Sequence, residues 1–274
     1  LSVSVTQGNM TSSLESFTAW EEIADYECDA CKRRTTLRKR NTVGRLANTL
    51  IVHLKRFEMD YETGVPKKLN NRFEFPYAAA APLDLYPYSY EAYMRSQQTL
   101  LEEQAATTGV APPTLDFESF PRDSYTYDLV GVVVHTGTLD SGHYYSFIRE
   151  RGPRAFAKAE ARAGASGTEP PQPPAEADAR LPKGATWAGR WYEFNDSSVT
   201  PFDPVNIPEQ CFGGTTTSTA WSMAAKQAVT SETQVFKNAY MLVYERRAPL
   251  PVAVEVAEVP HLAGQQATAA DEAA

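Results

Sequence analysis

A continuous apolar run inside residues 46–57 (LANTLIVHLKRF) predicts a central strand buried on both faces. Residues 125–135 (YTYDLVGVVVH) and 144–149 (YYSFIR) read as two strands flanking the glycine-bearing loop TGTLDSGH, and residues 191–195 (WYEFN) and 238–245 (NAYMLVYE) as two more. The alternation of NNRFEFP over 70–76 predicts a further strand. Helical spacing governs two stretches. Over 12–24 (SSLESFTAWEEIA) a Ser-x-x-Glu capping box precedes Leu14, Phe17, Trp20 and Ile23, which predicts a short amphipathic helix. Residues 97–106 predict a second helix, stopped by GVAPP, inside an insertion spanning about 87–122. Tyr26 to Arg34 (YECDACKRR) reads as the knuckle of a hairpin with a basic, extended continuation. Between 195 and 238 the pattern offers a Thr/Ser-rich turn and one helix.

The pattern fails over 151–190, where 22 of 40 residues are Pro, Gly or Ala, too few apolar side chains to offset the ordering entropy. A disordered loop is expected there, and a loose tail over 247–274. Lys and Arg number 26 against 34 Asp and Glu, a net charge of −8, which excludes nucleic-acid binding through a basic surface. No stretch approaches the ~20 apolar residues of a membrane span, and LSVSVTQGNM has neither the basic end nor the apolar middle of a signal peptide. Three cysteines, two of them in one C-x-x-C, make no disulfide framework, so an intracellular location, cytoplasmic or nuclear, is expected.

Three groups of residues carry candidate chemistry. Cys28 and Cys31 can offer two thiolates to one tetrahedral ion, yet structural zinc takes four ligands, and Cys211 lies 180 residues beyond with no partner nearby. A metal half-site, a redox pair and two unremarkable buried thiols all stay open. His143, in Asp140-Ser-Gly-His-Tyr-Tyr, opens a strand where a substrate backbone can pass and Gly142 would permit close approach. Its plain alternative is a histidine satisfied by a backbone carbonyl, and His53 and His135 read as packing. Asn195 and Asp196, leaving WYEFN, can present an oxygen to imidazole Nδ1–H and hold a base in one tautomer, or can simply form an Asx turn. The 52 positions between His143 and Asn195 do not decide between these; only adjacency of the two strands would.

YECDAC (26–31), HLKRF (53–57), SGHYYSFIR (141–149) and WYEFNDSSV (191–199), in that order along the chain, resemble the ubiquitin-specific proteases, the papain-like cysteine deubiquitinases. CFGG (211–214) and NAYMLVYER (238–246) resemble their large multidomain branch. The resemblance covers most of residues 10–246 and implies an α+β, hand-shaped fold with a β-sheet palm, zinc-bound β fingers and a helical thumb. It implies thiolate attack on the carbonyl at the ubiquitin C-terminus, with no cofactor for catalysis. By residue, it implies His143 as general base, Asn195 as its orienter, Asp196 as the neighbouring acid, Tyr144 and Gly142 beside the ubiquitin tail, and Cys28 and Cys31 as half of a structural zinc site. The implied partners are ubiquitin and ubiquitinated proteins, with neither nucleic acid nor membrane.

Two features of the family pattern are missing: the Gly/Asn-rich box that carries the nucleophilic cysteine, and the first finger C-x-x-C. Both would precede Leu1, so the sequence reads as residues 1–246 of a partial domain, mainly palm and part of the fingers, with most of the thumb absent. On that reading the chain alone is inactive. Cys211 is a poor substitute nucleophile, lying beyond the orienter with no basic group nearby in sequence. The rival readings are a ubiquitin-binding scaffold that never had a nucleophile, and a redox protein using Cys28 and Cys31.

Overall fold

The computed structural model describes residues 1–150, 189–222 and 227–250. Its centre is one large sheet. Strand β1 (Ser2–Ser4) runs parallel to β4 (Thr49–Lys55); among the described residues the other strand pairings are antiparallel. β14 (Lys237–Arg246) follows β4, then β8 (Thr126–Gly137), β9 (Gly142–Arg149), β10 (Trp191–Asn195) and β11 (Ser198–Phe202), and short β7 (Leu83–Asp84) also pairs with β8. Three separate hairpins complete the β structure: β2 (Glu21–Glu27) with β3 (Arg34–Lys39), β5 (Phe57–Met59) with β6 (Pro66–Lys68), and β12 (Gly214–Ser222) with β13 (Gln227–Val235). Among the described residues three α-helices stand beside them: α1 (Met10–Thr18), α2 (Tyr90–Thr108) and α3 (Ile207–Cys211). Mixed α and β segments around a dominant sheet match the expected α+β class.

Alternation assigns the two faces. Val52, Leu54, Val132, Val134, Phe147, Trp191, Leu242 and Tyr244 are buried on one face, covered by Met10 and Leu14 of α1, by Phe73 and Phe75, and by Ile207, Cys211 and Phe212. Each large side chain withdrawn there stabilises the fold by roughly 1.5–3 kcal/mol. Arg56 is fully buried at the end of β4, donating from Nε to Ala239 O (2.6 Å) and from Nη1 to Leu69 O (2.9 Å) and Asn71 O (3.1 Å). Burial pushes its guanidinium down to about 10. The other face is open at Ile51 and Val199, each 54% exposed, and covered around the buried His135.

Several expectations change. β4 is therefore not buried on both faces; it lies next to the short edge strand β1, and its apolar run serves one covered and one open side. The helix expected over 12–24 spans Met10–Thr18, with Asn9 rather than Ser12 as N-cap, its Oδ1 accepting from Ser12 N at 2.8 Å. Trp20 and Ile23 fall beyond it; the Trp20 ring lies under the guanidinium groups of Arg38 (4.8 Å) and Arg40 (5.2 Å) instead. Residues 70–76 form no strand. Phe73 N donates to Phe212 O, and both Phe73 and Phe75 plug the core from beneath. α2 is longer than 97–106 because Ser89 caps it seven residues earlier, while Gly109, at φ +71°, closes it in the left-handed conformation. The Thr/Ser-rich stretch after 213 is the β12–β13 hairpin rather than a turn, and the helix in that region is the five-residue α3.

The expected loop and tail lie mostly outside the described residues, at 151–188 and 251–274. Their described margins are anchored. Glu150 N donates to Arg190 O at 2.7 Å, joining the two ends of the loop, and Asn48 exchanges side-chain hydrogen bonds with both backbone groups of Leu250.

Candidate active site

His143 is the second residue of β9 and stands opposite Thr136 of β8. On its other side β9 pairs with β10 through Phe194↔Ser146 and Glu193↔Phe147, so residues 143, 145 and 147 share a face with 193 and 195. The two strands are neighbours, and the side chains meet: His143 Nε2 lies 2.7 Å from Asn195 Oδ1. Asn195 Oδ1 can only accept, so Nε2 is the protonated ring nitrogen and Nδ1 is left with its lone pair. The sequence pointed to Nδ1–H as the oriented side. The structure reverses this, because Asn195 approaches from the end of β10 and reaches the far nitrogen first.

A row of aromatics supports the imidazole. The Tyr145 ring lies nearly parallel to it at 6.3 Å, Phe147 meets Tyr145 edge-on at 5.5 Å, and Phe202 of β11 stacks on Phe147 at 3.8 Å. The row leads from the open end of the sheet into the core. Burial, with Cys211 and Glu193 nearby, raises the Tyr145 phenol and keeps it neutral. Asp196 takes φ +50° in the two-residue turn between β10 and β11, a left-handed position that aspartate tolerates better than most residues. The turn leaves its side chain 80% exposed, with Oδ2 3.9 Å from His143 Nε2. Asn195 Nδ2 donates to Glu193 Oε1 at 3.2 Å.

Tyr144 projects from the opposite face of β9. It is 49% exposed, with its ring 4.6 Å from that of His135 and 5.6 Å from that of Tyr240. At Gly142 the fold leaves no room for a side chain. A Cβ there would lie 2.1 Å from His135 Nε2, so the space belongs to that buried ring. Burial, and then Lys68, lower the His135 imidazole and hold it neutral. Lys68 fastens the mouth of the β8–β9 hairpin, its Nζ donating to the carbonyls of His135 (3.3 Å), Gly137 (2.9 Å) and Phe236 (2.8 Å). Sequence reading missed Glu193 and Lys68. Glu193 was detectable from its two-residue spacing to Asn195, whereas nothing local marks Lys68.

The cysteines stand elsewhere. Cys211 ends α3, wholly buried, and burial drives its thiol far above the ordinary range. Cys28 and Cys31 occupy the turn between β2 and β3, where Lys32 N donates to Cys28 O at 2.8 Å and Cys28 N donates to Arg33 O at 3.0 Å. The backbone amides of Cys31 and Ala30 lower the Cys28 thiol. Such a knuckle suits two sulfur ligands, but among the described residues no cluster of three metal-ligating side chains occurs, so these residues fit half of a tetrahedral site.

An imidazole held by a carboxamide, with its second nitrogen open, is an arrangement used by thiol-dependent hydrolases. Residues 5–244 match the family model described as ubiquitin carboxyl-terminal hydrolase, and the chain belongs to that family, the ubiquitin-specific protease catalytic domains. It is 30% identical over 259 residues to ubiquitin carboxyl-terminal hydrolase puf of Drosophila melanogaster, covering 88% of this chain and 6% of that protein. It is likewise 30% identical over 225 residues to human ubiquitin carboxyl-terminal hydrolase 34, covering 82% and 5%. The chain thus spans a small part of the length of these relatives. Among solved structures it is similar to the SAGA Ubp8/Sgf11/Sus1/Sgf73 DUB module bound to ubiquitin aldehyde, at 20% identity and a TM-score of 0.49, over 91% of this chain and 36% of that one.

Proposed function

We propose that this chain contributes the base side of a thiol-dependent deubiquitinase, which hydrolyses the isopeptide bond at the C-terminal glycine of ubiquitin on protein conjugates. The observation that carries the reading is the 2.7 Å contact between His143 Nε2 and Asn195 Oδ1, which leaves Nδ1 free to act. Nδ1 takes the proton of the attacking thiol and then delivers it to the leaving amine, while Asn195 fixes the ring plane. Asp196 supports the imidazolium across 3.9 Å. Tyr144, exposed on the face of β9 opposite the base, and the backbone at Gly142 border the path of the ubiquitin tail.

The nucleophile comes from outside these 274 residues, because Cys211 is buried with a raised thiol and Cys28 and Cys31 belong to the β2–β3 turn. Those two would hold a structural zinc together with ligands from beyond this sequence. On this reading the 274-residue chain is inactive alone and binds ubiquitin through an incomplete surface.

Ubiquitin carrying a C-terminal electrophile tests the assignment: the chain is expected to remain unlabelled, and labelling at Cys211 would overturn it. In a polypeptide that joins this sequence to a family cysteine box, His143→Ala should lower cleavage of ubiquitin amides on the order of a thousandfold or more, with Asn195→Ala losing less. Undiminished cleavage in His143→Ala would remove the base from the site.

A further inference from the structure

We infer that Glu193 is a positioning residue that sets the tautomer of His143 through Asn195; this rests on the proposed reading of the His143–Asn195 pair. A carboxamide presents an acceptor on one side and a donor on the other, and a half-turn exchanges them at little cost in shape. Either orientation of Asn195 can bond to a neutral imidazole. With Oδ1 toward the ring, Nε2 carries the proton and Nδ1 is a free base. With Nδ2 toward the ring, Nε2 is the acceptor, the proton moves to Nδ1, and the nitrogen that must receive a thiol proton is already occupied.

Glu193 decides between the two. It lies two residues before Asn195 on the same face of β10, and its Oε1 accepts from Asn195 Nδ2 at 3.2 Å. An ionised carboxylate only accepts. Turning the amide over would set Asn195 Oδ1 against Glu193 Oε1, two acceptors facing each other with no proton between them. The favourable bond on one side and this repulsion on the other both favour Oδ1 toward the imidazole. Glu193 itself is held by its register opposite Phe147, whose ring is fixed between Tyr145 and Phe202. A side chain that touches no reacting atom thus governs which ring nitrogen is available.

The test is ¹⁵N NMR of the full 274-residue chain labelled at its four histidines, with the ring neutral and the His143 signals assigned by His143→Gln. In the wild type the Nε2–H form should dominate. In Glu193→Leu, which keeps bulk but removes the acceptor, the ratio of Nε2–H to Nδ1–H should fall at least about fivefold, the factor one net hydrogen bond is worth. Glu193→Gln, whose side-chain oxygen still accepts, should stay within about twofold of wild type on the same reasoning. Glu193→Val repeats the measurement in a strand-favouring residue, so a folding defect in one variant does not decide the result. A wild-type ring protonated mainly on Nδ1 would sink the reading of the pair itself. A dominant Nε2–H form that persists unchanged in Glu193→Leu or Glu193→Val would leave the pair standing and overturn the role of Glu193.

Discussion

Replacing Gly142 by alanine probes how tightly the start of β9 is held. The added methyl would stand 2.1 Å from Nε2 and 2.6 Å from Cε1 of His135, and 2.6 Å from Thr136 O. The ring cannot swing away, since it is 4% exposed and set between Phe57 at 5.4 Å and Tyr144 at 4.6 Å. Overpacking of this kind costs about 1–3 kcal/mol, and the stiffer unfolded chain returns roughly 0.4–1, so a net destabilisation of about 1–2 kcal/mol is expected. Urea unfolding should show this as a lower midpoint with an unchanged slope. A double-mutant cycle with His135→Ala locates the cause: in that background the ring contacts vanish while the Thr136 carbonyl remains, so about 1 kcal/mol of the penalty should be relieved. A Gly142→Ala cost within about 0.5 kcal/mol of zero, or strict additivity with His135→Ala, would refute the steric account.

Two further outcomes follow from buried groups. Glu91, 4% exposed, is pulled upward by burial but more strongly downward by the Phe120 amide (2.9 Å), the Tyr125 hydroxyl (2.7 Å), Arg95 (2.9 Å) and Ser119 (2.9 Å), and settles at about 2 against its ordinary 4.5. Its folded value is depressed, so its contribution is present above about pH 4.5 and is lost as pH falls toward 2. Denaturant midpoints measured across that window should fall more steeply for wild type than for Glu91→Gln, and parallel curves would dismiss the network. With an aromatic disulfide reagent, Cys28 and Cys31 should react in the native protein while Cys211, wholly buried, reacts only after unfolding; equal rates for all three would contradict its placement.

What could be read from sequence follows the locality of the signal. WYEFN is bounded by residues that force a turn, and its strand runs over the same five residues in the fold. The helix over 12–24 was overextended because Trp20 and Ile23 keep helical spacing; their partners, Arg38 and Arg40 over the Trp20 ring and Leu37 opposite Ile23, are set by a hairpin that the pattern does not encode. Phe73 and Phe75 alternate as a strand would, yet their segment joins no strand of the sheet and both serve as buried plugs. At the site, residue types named His143 and Asn195, but which ring nitrogen faces the amide depends on diagonal packing between two strands. Lys68 was invisible for the same reason: its three carbonyl partners lie 67, 69 and 168 positions away.

The backbone bond from Glu150 to Arg190 has a consequence for tolerance to change. Lengthening a loop costs free energy only logarithmically, so the segment between β9 and β10 is free to grow or shrink behind that neck. Parity is not free. A slip of β10 by a single residue would carry Asn195 to the far side of the sheet and expose Trp191, so the buried indole acts as a ratchet that keeps amide and imidazole in step however the intervening text drifts.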